Sequence, residues 1–145
     1  MFGFGNKLKN LGRSAKKVEN RNLLEGIAAA VALVMGADGD FSDAEFEHGL
    51  NLMQANDKLS AFKPAEIEEV LVKYAAKLKG SYRVTKPTLL KEIRECAGND
   101  EDAEQILLCA IDIAEQDEDG LEDKEIAVIK EIASALGLKA DKYLS

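Results

Sequence analysis

One segment of this chain occurs twice without a gap, and that repeat limits the fold more than any other feature. Residues 27–46 read IAAAVALVMGADGDFSDAEF, and residues 107–126 read LLCAIDIAEQDEDGLEDKEI, an offset of 80 positions. The alignment sets Ile27 on Leu107, Ala30 on Ala110, Val31 on Ile111, Phe41 on Leu121, Glu45 on Glu125 and Phe46 on Ile126. Each copy reads as an apolar helix, an acidic loop containing Asp-Gly, and a second helix. Such a unit cannot bury its apolar face alone, so two of them must pack together or on further helices.

Helical patterning continues outside the repeat. Phe4, Leu8, Leu11, Ala15 and Val18 form an apolar stripe flanked by Lys7, Lys9, Arg13, Lys16 and Lys17, so residues 1–21 read as a basic amphipathic helix. Asn22 is placed to cap the first apolar helix, which runs to about Met35 and must be largely buried. Ser42 with Glu45 forms a capping box and Phe41 with Phe46 a hydrophobic staple, so a helix starts at Asp43. Pro64 opens a helix that ends at Gly80, and Pro87 opens another that ends at Gly98. Asn99 or Asp100 caps the second long apolar helix, 101–116, and a final amphipathic helix stops at Gly137. The expectation is an all-α chain of about seven helices with two pseudo-repeated helical hairpins. Residues 22–145 then form one helical domain behind the basic segment 1–21.

Charge narrows the function. Residues 1–22 carry six Lys or Arg against one Glu, leaving 13 bases and 26 acids elsewhere, so the tail is +5 and the body −13. A body this acidic repels phosphate backbones, and no nucleic-acid partner is expected. Cys96 and Cys109 form no Cys-x-x-Cys, which argues against a disulfide framework or a zinc site and for a reduced, cytoplasmic compartment. The stretch 27–36 is too short to span a bilayer, and the long basic region before it does not fit a secretory leader.

The two loops concentrate oxygen ligands. The first offers Asp38, Asp40, Ser42, Asp43 and Glu45, and the second Asp117, Glu118, Asp119, Glu122, Asp123 and Glu125. Neither fits the twelve-residue calcium loop with Gly at six and Glu at twelve. Acids in a first helical turn also complement the helix dipole, so capping explains part of the pattern. Glu122 is a poor cap, however, and the crowding of the second cluster calls for a counter-ion. His48, the sole histidine, reads as a surface residue, and with no nucleophile in a recognisable pattern beside it no catalytic set emerges. A metal-dependent hydrolase would need more than His48, so the chain does not read as an enzyme.

The run ADGDFSDAE at 37–45 together with IAxxDxDGLEDKExxxIKEIASALG at 113–137 resembles the TerB-like family of tellurite resistance and DnaJ-associated domains. The likeness covers roughly residues 20–144. It implies a seven-helix cytoplasmic fold and a divalent cation, Ca²⁺ foremost or Mg²⁺, in the two Asp-Gly loops. Carried onto this chain, the implied ligands are Asp38, Asp40 and Glu45 in the first loop and Asp117, Asp119 and Glu125 in the second. It further implies a non-catalytic role in tellurite or stress resistance beside a TerC-type integral membrane protein and TerD-type proteins. Residues 1–21 could then bring the protein to the inner membrane face. The alternative is a metal-independent, co-chaperone-associated interaction domain whose acids contact basic partners. The Asp-Gly pair of the second loop sits one residue later than that of the first, so the two sites need not be equivalent.

Overall fold

A computed structural model describes residues 20–37, 39, 41–115 and 121–144. Helix α1 covers residues 20–35, followed by α2 (Asp43–Gln54), a 3₁₀ turn (Asp57–Leu59), α3 (Pro64–Gly80), α4 (Tyr82–Arg94), α5 (Asp100–Glu115), α6 (Asp123–Leu136) and the single turn α7 (Asp141–Leu144). No strand occurs among the described residues. The chain is all-α, as its repeat and composition require.

Residues Ile27 to Met35 of α1 are each at most 3% exposed. A helix that is apolar all round has to be enclosed on every side. The enclosure is a ring: α2 packs on α3, α3 on α4, α4 on α6, α6 on α5, and α5 back on α2. Small residues set the close approaches. A Cβ on Gly26 would lie 2.8 Å from Ile106 Cδ1, so α1 meets α5 there, and a Cβ on Gly49 would lie 2.9 Å from Val31 Cγ1, so α2 meets α1.

The repeat survives folding in register. Helix α2 begins at Asp43 and α6 at Asp123, at the offset of 80. Caps fix these ends much as the sequence indicates. The Ser42 Oγ accepts from the Glu45 N–H at 3.1 Å, and the Asn99 side chain accepts from the Asp102 N–H at 3.1 Å. Pro64 stands at the first position of α3. Gly137 adopts φ 74°, and the Leu138 N–H donates to the Ala133 carbonyl at 2.8 Å, closing α6 with a left-handed cap.

Three boundaries differ from the sequence reading, one of them the end of α4, at Arg94 rather than Gly98. Residues 20–22 are already helical, so Asn22 is not a cap; its carbonyl instead accepts from Cys96 Sγ at 3.2 Å. Helix α4 starts at Tyr82 rather than Pro87, which lies inside it. Pro87 has no N–H to give the carbonyl one turn back, a loss confined to one bond. Tethers at the helix start outweigh that loss. The Ser81 side chain accepts from the Val84 N–H at 3.3 Å, Thr85 Oγ1 donates to the Lys77 carbonyl at 3.0 Å, and the Tyr82 hydroxyl donates to the Leu33 carbonyl at 2.8 Å. The last bond also satisfies one of the carbonyls that the C-terminus of α1 leaves open. The amphipathic reading of residues 1–21 falls, apart from the helical residues 20 and 21, outside the described residues.

Candidate functional site: the two acidic loops

Of the first acidic segment the described residues are 36, 37, 39, 41 and 42, and of the second residues 121 and 122, directly before α6. The loop ends are anchored by apolar side chains: Phe41 and Leu121, aligned in the repeat, are both partly buried against the core. A Cβ on Gly36 would lie 2.5 Å from Phe41 Cζ, so the Phe41 ring occupies the space that a larger residue at 36 would take. Lys79 stands 5.7 Å above the same ring. Gly39, between the two aspartates of the first loop, has φ 84° and donates to the Gly36 carbonyl at 3.0 Å. Only glycine takes that left-handed conformation at no steric cost, which explains Asp-Gly at this turn.

Of the six implied ligands, Glu45 and Glu125 are described; Asp38, Asp40, Asp117 and Asp119 lie outside the described residues. Glu45 and Glu125 occupy the third position of α2 and α6, the same place in each repeat. Glu125 Oε1 accepts from the Glu122 N–H at 3.3 Å. At 6% exposure Glu125 is the one buried charged residue among those described. A carboxylate is held at such depth only with compensating donors or positive charge. Among the described residues no group of three or more His, Cys, Asp and Glu is arranged to hold a metal ion.

Elsewhere the reactive side chains are occupied structurally. Burial pushes the thiols of Cys96 and Cys109 up to about 11, so both are protonated at neutral pH and unreactive. His48 departs from the surface reading: it is half-buried at the α2–α5 junction, with Nε2 covered and without a hydrogen-bond partner among the described residues. It faces α5 because Gly49, next to it, draws α2 onto the core.

One titratable group lies outside anything the sequence pattern indicated. Burial first, then the charges of Glu25 and Glu95, raise the Glu92 carboxyl above its ordinary value. Glu25 and Glu92 are 67 positions apart, so no local pattern could pair them. A carboxyl raised by folding binds its proton more tightly in the folded state, so its contribution is complete below the ordinary value of 4.5 and is lost as pH rises through the raised value. Glu92→Gln should therefore melt higher than the parent at pH 7, with the difference shrinking towards zero below pH 4.5. A melting difference that is the same at both pH values would disprove the assignment.

Among the described residues no helix is long and apolar enough to cross a membrane. Neither a curated protein nor a solved structure matches the chain. The family model described as tellurite resistance protein TerB matches residues 24–144, from within α1 through α7. With its repeated hairpins, buried first helix and paired Glu-bearing helix starts inside that match, the chain belongs to the TerB family of tellurite resistance proteins.

Proposed function

We propose that this protein is a non-enzymatic, divalent-cation-binding interaction module of a tellurite or general stress resistance system. Asp38, Asp40 and Glu45 take Ca²⁺ or Mg²⁺ in the first loop, and Asp117, Asp119 and Glu125 do so in the second. The module works at the inner membrane face with a TerC-type membrane partner and TerD-type proteins, and the basic segment 1–21 helps an otherwise acidic body approach anionic lipid. The observation that carries the reading is the placement of Glu45 and Glu125 at the same position of two helices that each follow an acidic Asp-Gly stretch of the sequence. Clustered carboxylates suit hard cations, and neither loop offers the sulfur or nitrogen ligands that zinc favours.

Calorimetric titration of metal-free protein with Ca²⁺, Mg²⁺ and Zn²⁺ tests it. Ca²⁺ or Mg²⁺ should bind in preference to Zn²⁺, and saturation at a hundredfold over Kd should add about 2.7 kcal/mol of stability by mass action. Glu45→Gln and Glu125→Gln should each weaken binding in their own loop. No heat of binding, with an unchanged melting curve in saturating Ca²⁺ and Mg²⁺, would defeat the cation assignment.

A further inference from the structure

The ring of helices is divided by charge. Helices α2 and α5 carry nine acids (Asp43, Glu45, Glu47, Asp100, Glu101, Asp102, Glu104, Asp112, Glu115) and no base, a net −9. The neighbouring α3 and α4 carry seven bases (Lys73, Lys77, Lys79, Arg83, Lys86, Lys91, Arg94) against four acids (Glu66, Glu68, Glu69, Glu92), a net +3. Since α2 packs on α5 and α3 on α4, the two pairs form separate arcs of the ring.

A groove of about 540 Å³ runs between α2 and α5. Asn51 and Asp112 stand at its exposed rim, and Leu52 and Leu108 supply an apolar strip. Leu108 is 38% exposed, and every other exposed residue of α5 is an acid. An apolar side chain left in water amid carboxylates is matched by a partner that brings apolar and basic groups together. Phosphate-bearing partners, whether lipid or nucleic acid, are repelled by these nine carboxylates, of which Glu101 is paired with Lys58 of the neighbouring 3₁₀ turn.

We propose that the α2–α5 groove is a docking surface for a basic amphipathic helix of a partner protein. The partner's apolar residues lie along Leu52 and Leu108, and its Lys or Arg side chains reach Asp112 and the flanking acids. This is the helix-in-groove mode of recognition, with the surrounding charges speeding encounter and selecting the partner. The surface lies on helix sides rather than in the loops and stands whether or not the loops bind a cation.

The probe is an 18-residue synthetic peptide of Leu and Lys with Leu at helical spacing, compared with a shuffled peptide of the same composition. Both are added to the full chain in the presence of a chelator. The amphipathic peptide should bind one to one, more weakly at high salt, and shift amide resonances of α2 and α5. Leu108→Ser and Asp112→Lys should each weaken it about fivefold or more, whereas Val84→Ser on α4, where Val84 is 74% exposed, should not. Equal binding of the shuffled peptide would reduce the effect to charge alone and overturn the proposal. Resonance shifts confined to other helices, or affinities unmoved by the two groove substitutions, would overturn it as well. Self-association of the chain alone, abolished by Leu108→Ser, would give the face to a second copy, and peptide binding that tightens severalfold when Leu8 and Leu11 are both changed to Ser would give it to the chain's own basic segment; either would overturn the partner assignment.

Discussion

Truncating Ile27 or Leu107 to alanine should destabilise the fold by about 3 kcal/mol in each case. The two side chains occupy equivalent positions of the repeat and both are 0% exposed. Ile27 lies in the enclosed helix α1 and Leu107 in α5, which packs on it. Removal of either deletes buried methyl groups and leaves a cavity that close-packed neighbours fill only partly. For a chain of this length about 3 kcal/mol corresponds to a fall in melting temperature of roughly 6–12 °C. The repeat predicts comparable losses at the two positions. A denaturant midpoint corresponding to less than about 1 kcal/mol at either one would mean that the core is not packed as described.

Phe41→Ala should act on stability and on the first loop together. The ring packs against Gly36, lies under the Lys79 ammonium and contacts the core, so its loss removes apolar burial and a cation–π contact worth about 0.5–1 kcal/mol. The combined loss should be about 2–4 kcal/mol, near the lower end of large-to-small core substitutions because the ring is only partly buried. The aligned variant, Leu121→Ala, should lose less, since a leucine side chain buries less area than phenylalanine. If cation binding belongs to the loops, each variant should weaken the cation at its own loop more than at the other. Melting and calorimetry on the two variants decide the point, and equal weakening of both sites by either variant would show that these residues do not anchor their loops individually.

Much of this architecture is legible before folding because its determinants are local. Ser42, Asn99, Pro64 and Gly137 each mark a helix end within a turn of themselves, and α2, α3, α5 and α6 begin or end within a residue or two of the expected places. The start of α4 is not legible locally, because the bonds holding it run to Leu33 and Lys77, and those partners outweigh the signal of Pro87. The surroundings of His48 are hidden for the same reason: they are set by α5, more than 50 positions further along the chain. The acidic loops divide in the same way. Glu45 is placed by its capping box with Ser42 and Glu125 by the offset of 80, and the structure adds a Glu122–Glu125 capping box that the sequence reading discounts, whereas the four aspartates fall outside the described residues.

The division of charge around the helical ring gives the molecule a direction. With a net −9 on one pair of helices and +3 on another, these four helices together contribute an electric dipole moment across the ring. Near a negatively charged surface such a body experiences a torque, which turns α3 and α4 inward and α2 and α5 outward before any contact forms. The torque sets orientation and not attraction: a formal charge of −8 is still repelled by an anionic layer, so this orientation matters only where another contact holds the protein there.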